Sequence, residues 1–298
     1  MKLTFYRGPE PNFGDELNVM LWDHLLPEGF LDEDEDALFL GIGSILWDYL
    51  PKAPMKHVMG SGYGGYTPPP DVQDGSWNIC WVRGPQTARI LGIDPDLAIT
   101  DAAVLLRAIP LPEPATGIDL AFMPHIDSIA RGDWARVCEI AGITYLDPRA
   151  DPMTLIAQIR GARLVLTEAM HGAIVADALR TPFIPFIPHH PDHRAKWQDW
   201  AASLQLELRS QPLPVSTALD LYVGLTGGQG RGKPSQWLRN HALMQPVHRM
   251  LTHRAARRLR HIAATVAPQL SDEAQITRAT ARCLEALERF VAAEQTRR

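Results

Sequence analysis

Cysteine is scarce in this sequence of 298 residues, and the three present, Cys80, Cys138 and Cys283, lie far apart. They form neither the close pairs of a zinc site nor the even-numbered set of a disulfide framework, so we expect free thiols in a reducing compartment. Long apolar runs are also missing, because none approaches the roughly 20 residues of a membrane-spanning helix. Residues 1–7 lack the apolar core and cleavage site of a secretory signal. These absences predict a cytoplasmic protein.

Two enzyme signatures are absent as well. None of the glycine-rich turns has the third glycine and the distal acid of the dinucleotide fingerprint, and no phosphate-loop lysine follows them. The sequence contains no Gly-x-Ser-x-Gly elbow, which argues against an α/β-hydrolase.

Acidic residues are missing from one long segment. Although the net charge of the chain is −5, residues 221–271 contain no Asp or Glu. The basic residues of this segment include Arg231, Lys233, Arg239, Arg249, Arg254, Arg257, Arg258 and Arg260. Such a segment attracts anions, but no nucleic-acid motif accompanies the charge, so we expect no nucleic-acid partner. Peripheral contact with the inner membrane and an ordinary solvated helix face both remain open.

The chain does contain a repeated alternation of strand-like and helix-like segments. Predicted strands cover residues 2–6, 37–43, 57–62, 78–83, 97–101, 119–123, 142–146, 162–166 and 182–186, and predicted helices cover residues 15–26 and 85–91. A proline-rich stretch, residues 109–114, breaks the alternation. We predict an α/β protein with two Rossmann-like domains, residues 1–112 and 113–225, facing a cleft. A basic helical region follows over residues 226–298, with Leu284, Leu287 and Val291 forming one apolar stripe near its end.

The most informative strand end lies at His171. The apolar strand before it stops at Thr167, and apolar residues at helical spacing begin at Ile174. In open α/β sheets the carboxyl ends of strands bind ligands, and a helix N-terminus offers free N–H groups and a positive dipole to a phosphate or carboxylate. His171 is therefore a candidate site residue, with a helix cap or a packed core histidine as the alternative.

Three glycine-rich turns stand at predicted strand ends in the first half, at residues 12–15, 41–44 and 60–64. Glycine permits close approach of a ligand to the backbone, and these turns are predicted to face one cleft. Each turn taken alone is as consistent with an ordinary tight turn. The residues expected at the cleft are Asn12, Asp15, Gly43, Ser44 and Gly62.

Arg83 ends an apolar strand and precedes Gly84-Pro85, so we expect it at the rim of the sheet. An arginine there can grip a carboxylate or phosphate in bidentate fashion. The equal alternative is a structural salt bridge to an acid such as Asp101. Asp101 itself lies at a predicted strand end and could hold Arg83 or cap a helix beginning at Ala102.

The second half offers further candidates. His125 follows a predicted strand and could face the cleft. The histidine-rich loop 188–193 resembles a metal site at first sight, but its prolines limit convergence and no defined complement of carboxylates or cysteines accompanies it, so we expect no metal. Lys196 and Trp197 would add a cation and an aromatic platform near the His171 turn. Trp197 and Trp200 are equally consistent with helix packing.

Taken together, these segments resemble the polysaccharide pyruvyl transferase family, and most closely its exopolysaccharide branch. The resemblance runs from residues 12–15 through the glycine turns, residues 81–85 and residues 99–102 to residues 168–179 and 196–200, which is about two thirds of the chain in order. It implies a two-domain, GT-B-like fold, phosphoenolpyruvate as donor substrate, no separate cofactor, and a carboxyethylidene ketal placed across two hydroxyls of a saccharide acceptor. The acceptor is typically lipid-linked.

The resemblance also implies roles for individual residues. His171 would be the catalytic histidine, and the donor would be bound by Arg83, Lys196 and Gly172. Many relatives carry an arginine where this chain has Ala169. Lys196, Arg194 and Arg180 are candidates to supply the missing charge, and we expect Lys196 to do so because it belongs to a matching segment. The residues implied at the acceptor or cleft are Asn12, Asp15, Gly43, Ser44, Gly62, His125, Glu168 and Trp197.

Two other functions remain open at the level of sequence. A GT-B glycosyltransferase that uses a nucleotide sugar would share the fold and the cleft. A non-catalytic glycan-binding protein of the same pathway would need neither His171 nor Arg83 at a strand end.

Overall fold

The computed structural model describes residues 1–188, 192–228, 230 and 232–297, and it contains two parallel sheets. In the first sheet the strands pair in the order β1 (Lys2–Thr4), β2 (Ala37–Leu40), β3 (Met55–Met59), β4 (Trp77–Trp81). The strands of the second sheet are β5 (Leu120–Met123), β6 (Thr144–Tyr145), β7 (Leu164–Thr167) and β8 (Phe183–Pro185), and they pair in the order β6-β5-β7-β8. The predicted fold class, two Rossmann-like α/β units with C-terminal helices, is confirmed.

Helices surround both sheets. In chain order the described helices are α1 (Phe13–Leu25), α2 (Pro85–Leu91), α3 (Ile126–Arg131), α4 (Trp134–Ala141), α5 (Pro152–Gly161), α6 (Met170–Ala178), α7 (Asp192–Ser203), α8 (Ala218–Thr226), α9 (Lys233–Asn240), α10 (Gln245–Thr265) and α11 (Glu273–Arg297). None of these described helices combines the length and the apolar content that crossing a bilayer requires. The strands are short apolar runs because parallel sheets are covered on both faces, as in β7, where all four residues are buried.

Three hydrophobic clusters form the core. One lies on the outer face of the first sheet around Val58 and Val82, and another lies on the outer face of the second sheet around Phe122. The largest cluster is shared by the two halves and contains Trp22 of α1 and Phe183 of β8. This shared core holds the two sheets against each other.

The C-terminal helices divide between the two halves. Helix α10 packs on α4 beside the second sheet, whereas α11 returns to the first sheet, where the Phe290 ring lies 6.1 Å from that of Phe39. The apolar stripe predicted along α11 faces this core, with Leu287 buried and Leu284 and Val291 partly buried against it. The chain therefore crosses from one half to the other twice.

One strand prediction is wrong. Residues 97–101 do not form a strand; the segment Pro95–Leu97 is a short 3₁₀ helix, capped by Asp94, and Ala98 makes a single isolated bridge to Val82. Proline at the first position and an aspartate cap favour a helical turn here.

The order of the second sheet creates a switch point. From β5 the chain moves outward to β6 and then returns to the other side of β5 as β7, so consecutive connections leave β5 in opposite directions. A crevice opens at the carboxyl ends of two such strands, and ligands of open α/β sheets bind there. His125 follows β5 and Glu168 follows β7, which places both at this crevice.

Candidate functional site

Glu168 ties the ends of the two central strands together. Its backbone N–H donates to the carbonyl of Met123 over 2.9 Å, and its Oε2 accepts a hydrogen bond of 3.0 Å from the His125 backbone N–H. The other oxygen, Oε1, lies 3.3 Å from Nη2 of Arg131, and Nε of Arg131 lies 3.0 Å from Oδ1 of Asp220. All three side chains are nearly buried, so this network of carboxylates and arginine is enclosed by protein and shapes the crevice floor.

His171 faces a buried carboxylate from the other half of the molecule. It is the second residue of α6, and its Nε2 lies 3.6 Å from Oδ2 of Asp101. The other oxygen of Asp101 accepts a hydrogen bond from the Ala103 N–H over 3.0 Å, which confirms the predicted cap of the helix that begins at Ala102. Both facing atoms, His171 Nε2 and Asp101 Oδ2, are buried and lack a hydrogen-bond partner among the described residues.

Buried polar atoms are seldom left without partners, so this pair demands an explanation. The 3.6 Å separation is long for a hydrogen bond and short enough for strong attraction once the imidazole is charged. A carboxylate in this position orients the imidazole ring and offers a counter-charge to a protonated His171. The arrangement is that of a histidine prepared to hold and deliver a proton.

The first turn of α1 closes over the same ring. A Cβ atom at Gly14 would lie 2.0 Å from Nδ1 of His171, so only glycine leaves room for the imidazole. Next to it, Oδ2 of Asp15 accepts a hydrogen bond of 2.6 Å from the Asn12 side chain. Burial raises the pKa of Asp15, while that hydrogen bond and the charges of His171 and Lys196 oppose the rise. The structure thus brings residues 12–15 to His171, as the strand-end argument predicts.

Arg83 lies in a different environment from the one expected of a ligand-binding arginine. The side chain is fully buried, with Nη1 donating to Ser44 Oγ over 2.8 Å and Nη2 donating to the Tyr63 carbonyl over 3.0 Å. Its Nε lies 3.4 Å from Oδ2 of Asp199 in α7. The structural salt bridge weighed in the sequence analysis is therefore present, but the acid is Asp199 and not Asp101.

Asp199 also explains why α2 begins where it does. Its Oδ1 accepts hydrogen bonds from the backbone N–H groups of Gln86, over 2.8 Å, and Thr87, over 3.1 Å. These are free donors of the first helical turn, since the capping residue Gly84 has no side chain to satisfy them. A carboxylate of the second half thus caps a helix of the first half and pairs with the arginine beside it.

Two other glycine-turn residues, Ser44 and Gly62, contact Arg83. Gly62 lies beneath the guanidinium, where a Cβ would approach Cζ to 2.1 Å, and its N–H donates to the Gly43 carbonyl over 2.9 Å. Ser44 accepts a hydrogen bond from Arg83. The expectation that Ser44 and Gly62 line the cleft is thereby corrected, because they pack around a buried ion pair. Gly43 instead faces Asp15, where a Cβ would lie 3.7 Å from Oδ1, and its place at the cleft stays a prediction.

One further expectation is corrected in the second half, that for Trp197, whereas the donor role expected of Gly172 stays a prediction. Trp197 is 3% exposed and belongs to the shared core, so it offers no platform to a sugar. Gly172 is buried where a Cβ would approach Thr167 Oγ1 to 2.5 Å, which makes it a packing requirement between α6 and β7. Both residues lie one position from a residue at the site, and helical geometry turns them toward the core.

Lys196 is half-buried at the edge of the site. Its Nζ donates to the hydroxyl of Tyr66 over 3.2 Å. Burial, reinforced by the positive charge of Arg83, lowers the pKa of Lys196 to about 8. Of the other cations considered as substitutes for the arginine absent at Ala169, Arg180 is paired with Glu273 beyond the far end of α6.

A rim of histidines and a carboxylate borders the crevice. His125 caps α3, and the hydrogen bond with His125 holds the pKa of Asp127 well below its usual range. The His193 ring lies 4.6 Å from that of His125, and these three side chains each offer a ligand atom within 4.8 Å of the others. His189 and His190 of the histidine-rich loop lie outside the described residues.

The cleft between the two halves has a volume of about 1020 Å³. Of the predicted cleft residues, Asn12, Asp15, His125 and Glu168 line it. Sequence reasoning missed its aromatic walls, Tyr6 and Tyr66, and the contributions of Arg131 and Arg239. For Tyr6 and Tyr66, the position of a tyrosine near a glycine-rich turn was the feature of the sequence that could have indicated them.

Comparison with known proteins gives a consistent result. Residues 12–190 match the family model described as polysaccharide pyruvyl transferase. The chain is also 39% identical over 226 residues to the succinoglycan biosynthesis protein ExoV of Rhizobium meliloti (strain 1021), with 75% of this chain and 71% of that protein covered. No solved structure matches the chain. The range of the family match contains every predicted site residue except Lys196 and Trp197.

Proposed function

Because the chain belongs to the polysaccharide pyruvyl transferase family, we propose that it transfers the carboxyethylidene group of phosphoenolpyruvate to two hydroxyls of a sugar and releases phosphate. The part of its relative in succinoglycan biosynthesis supports an exopolysaccharide, or its lipid-linked repeat unit, as the acceptor. The reaction would take place in the cytoplasm at the inner face of the membrane. The observation that carries the proposal is the buried, unpartnered pair of His171 and Asp101 at the N-terminus of α6.

The chemistry requires one proton at a carbon atom. His171 delivers it to the methylene carbon of the enol phosphate, which becomes the methyl group of the product and leaves an oxocarbenium-like centre. One sugar hydroxyl adds to that centre, phosphate departs, and the second hydroxyl closes the ketal. One hydroxyl proton restores the acid and the other leaves with the phosphate, so the reaction balances without an oxidant or reductant. Asp101 holds the imidazolium in position and stabilises it before the transfer.

Asp15 is suited to receive a hydroxyl proton. It lines the cleft, and burial raises its pKa toward the range in which a carboxylate is an effective base. Its position beside His171 would place the attacking hydroxyl close to the carbon that has just been protonated. Acid and base would then act on the same bound pair of substrates.

The donor would be anchored by the first turn of α6 and by Lys196. The N-cap of α6 is Ala169, which makes no side-chain capping bond, so the N–H groups of the first turn are available to the donor's phosphate or carboxylate. Lys196 supplies the cation. Arg83 contributes its charge through the protein and is not assigned a donor contact, because its guanidinium is fully buried in protein hydrogen bonds.

The acceptor would occupy the cleft between the halves. The exposed rings of Tyr6 and Tyr66 provide amphipathic surfaces for a saccharide in place of the buried Trp197. Charged groups on both sides, including Arg239 and Glu10, offer hydrogen bonds to hydroxyls.

Product analysis tests the proposal against both alternatives. The purified chain is incubated with phosphoenolpyruvate and an oligosaccharide acceptor, and inorganic phosphate and ketal are measured. We expect the two in equal amounts, with a loss of about 10³-fold for His171→Gln. Release of a nucleotide from a sugar donor would establish a glycosyltransferase, and acceptor binding without turnover of any donor would establish a glycan-binding protein.

A further inference from the structure

We propose that the outer face of α10, with the adjoining face of α8, docks this protein on an anionic phospholipid membrane. The inference rests on the proposed function only for its setting, a lipid-linked acceptor. Its evidence lies in a part of the molecule that the reaction does not use.

The arginines of α10 have no counter-charge. All five are exposed, and none forms an ion pair with another described residue: Arg249, Arg254, Arg257, Arg258 and Arg260. Several arginines elsewhere in the chain are paired, for example Arg107 with Glu273 and Arg163 with Asp119. The cause is compositional, since residues 221–271 contain no acid. Crowded like charges repel one another, and an anionic partner relieves that repulsion.

The helix separates an apolar inner face from a basic outer face. Leu259 and Ile262 are buried against the second sheet and α4. The outer stripe consists of Met250, Arg254, Arg257 and His261. The last three lie four, seven and eleven residues after Met250, which is the spacing of one helix face. Because its buried face is already satisfied by the core, this periodicity leaves the cationic stripe free for another partner.

Apolar side chains border the basic stripe. A groove of about 690 Å³ is lined by the apolar residues Leu213, Val215, Leu221 and Leu251 together with Arg254, Arg257, Arg258 and His261. Leu225, one turn beyond Leu221 on α8, is 79% exposed, and Met250 is 61% exposed. Exposed apolar groups beside a row of arginines are typical of a surface that lies in a membrane interface. A hydrated polyanion would pair with the arginines but would leave the exposed apolar side chains in water. The observations therefore favour the membrane.

The docking face is adjacent to the cleft. Helix α8 contributes Val223 to the wall of the cleft and Leu221 to the basic groove. A membrane held against α10 would therefore lie about one helix diameter from the acceptor site, roughly 10 Å. That distance suits a saccharide whose lipid anchor stays in the bilayer.

Vesicle sedimentation with the full-length protein tests the proposal. We expect binding to vesicles of phosphatidylcholine with 30% phosphatidylglycerol, and little binding to phosphatidylcholine alone. The triple variant R254Q/R257Q/R258Q should reduce the partition constant roughly 100-fold, because each basic residue near an anionic surface contributes a factor of about five. The matched control R89Q/R278Q/R289Q removes the same charge at exposed arginines of α2 and α11, and it should bind like the wild type.

Three results would overturn the assignment: binding that does not depend on phosphatidylglycerol or on salt, equal losses in the triple variant and its control, or inorganic polyphosphate binding as tight as vesicle binding and insensitive to Met250→Ser. Unchanged thermal melting confirms that each variant is folded. Phosphate release from phosphoenolpyruvate with a soluble acceptor should be unchanged in the triple variant. If the wild type binds vesicles but releases no phosphate, the proposed reaction is rejected and the docking face is retained. If it releases phosphate but does not bind vesicles, the docking face is rejected and the reaction is retained.

Discussion

Replacing Asp101 with asparagine isolates the charge that faces His171. Asparagine keeps an oxygen to accept the hydrogen bond from the Ala103 N–H, so the helix cap survives while the negative charge is lost. At the 3.6 Å separation of the two side chains, Coulomb's law with an effective dielectric constant of about 20 gives an attraction of about 4–5 kcal/mol for the charged pair. Part of this is offset by the cost of holding both groups out of water.

We therefore expect D101N to lose about 2–4 kcal/mol of transition-state stabilisation, which is roughly 30- to 1000-fold in kcat. The assay is initial-rate phosphate release from phosphoenolpyruvate between pH 5 and 9. Asp94→Asn is the matched control, since Asp94 caps another 3₁₀ helix through an exposed side chain.

A double-mutant cycle decides whether the two residues act as one unit. In a His171→Gln background, D101N should cost little more than His171→Gln alone. Wild-type kcat in D101N, or a full additional loss in the double variant, would refute the reasoning.

Three other perturbations follow from the geometry. Gly14→Ala should abolish ketal formation, because the new methyl carbon would lie 2.0 Å from the His171 ring and must displace it; steady-state kinetics checks this, and near-normal kcat would contradict it. The KM for phosphoenolpyruvate should rise above about pH 8 in the wild type, because Lys196, whose pKa is about 8, loses its charge. In Lys196→Arg the KM should stay constant over the same pH range, since arginine keeps its charge. The same dependence of KM on pH in both enzymes would contradict the donor role. Asp199→Asn should lower the free energy of unfolding in urea by about 3–5 kcal/mol, because its buried arginine partner loses its counter-charge. Asp119→Asn removes the acid of a solvent-exposed ion pair and should cost far less, and a similar loss in both variants would contradict the argument.

The parts of the fold and site that could be predicted are those encoded locally. Apolar runs ending in glycine located the strands, and the change of period after Thr167 located the helix that begins at Met170. Local spacing also placed residues 12–15 and His171 at strand ends, but these ends belong to different sheets, and it is the packing of the two halves that makes them neighbours. The prediction of a strand over residues 97–101 is wrong because the apolar residues of this segment are typical of a strand, while Pro95 favours a helical turn.

Contacts between distant segments could not be predicted. Arg83 and Asp199 are 116 residues apart, and nothing in either neighbourhood distinguishes a ligand-binding arginine from one held by a remote acid. Lys196 and Trp197 illustrate the same limit at short range. A single step along α7 takes the chain from a half-buried lysine beside Tyr66 to a tryptophan in the shared core. Helix orientation is set by tertiary packing, which a sequence of alternating polar and aromatic residues leaves undetermined.

The return of α11 to the first sheet could not be predicted for the same reason. Its apolar stripe was visible, but the stripe alone does not specify which sheet it covers. The charge of the acid-free segment before it is clear from the sequence. Only the structure shows that no acid among the described residues pairs with the arginines of α10.

The most direct test of the account is the source of the methyl proton in the ketal. The reaction is run in D₂O with phosphoenolpyruvate and an oligosaccharide acceptor, and the product is examined by proton NMR and mass spectrometry. If His171, in exchange with solvent, protonates the methylene carbon, the wild-type ketal carries a single deuteron in its methyl group, and His171→Gln forms almost no product. Undiminished ketal formation by His171→Gln, or a ketal methyl without deuterium, would contradict the assignment of His171 as the acid.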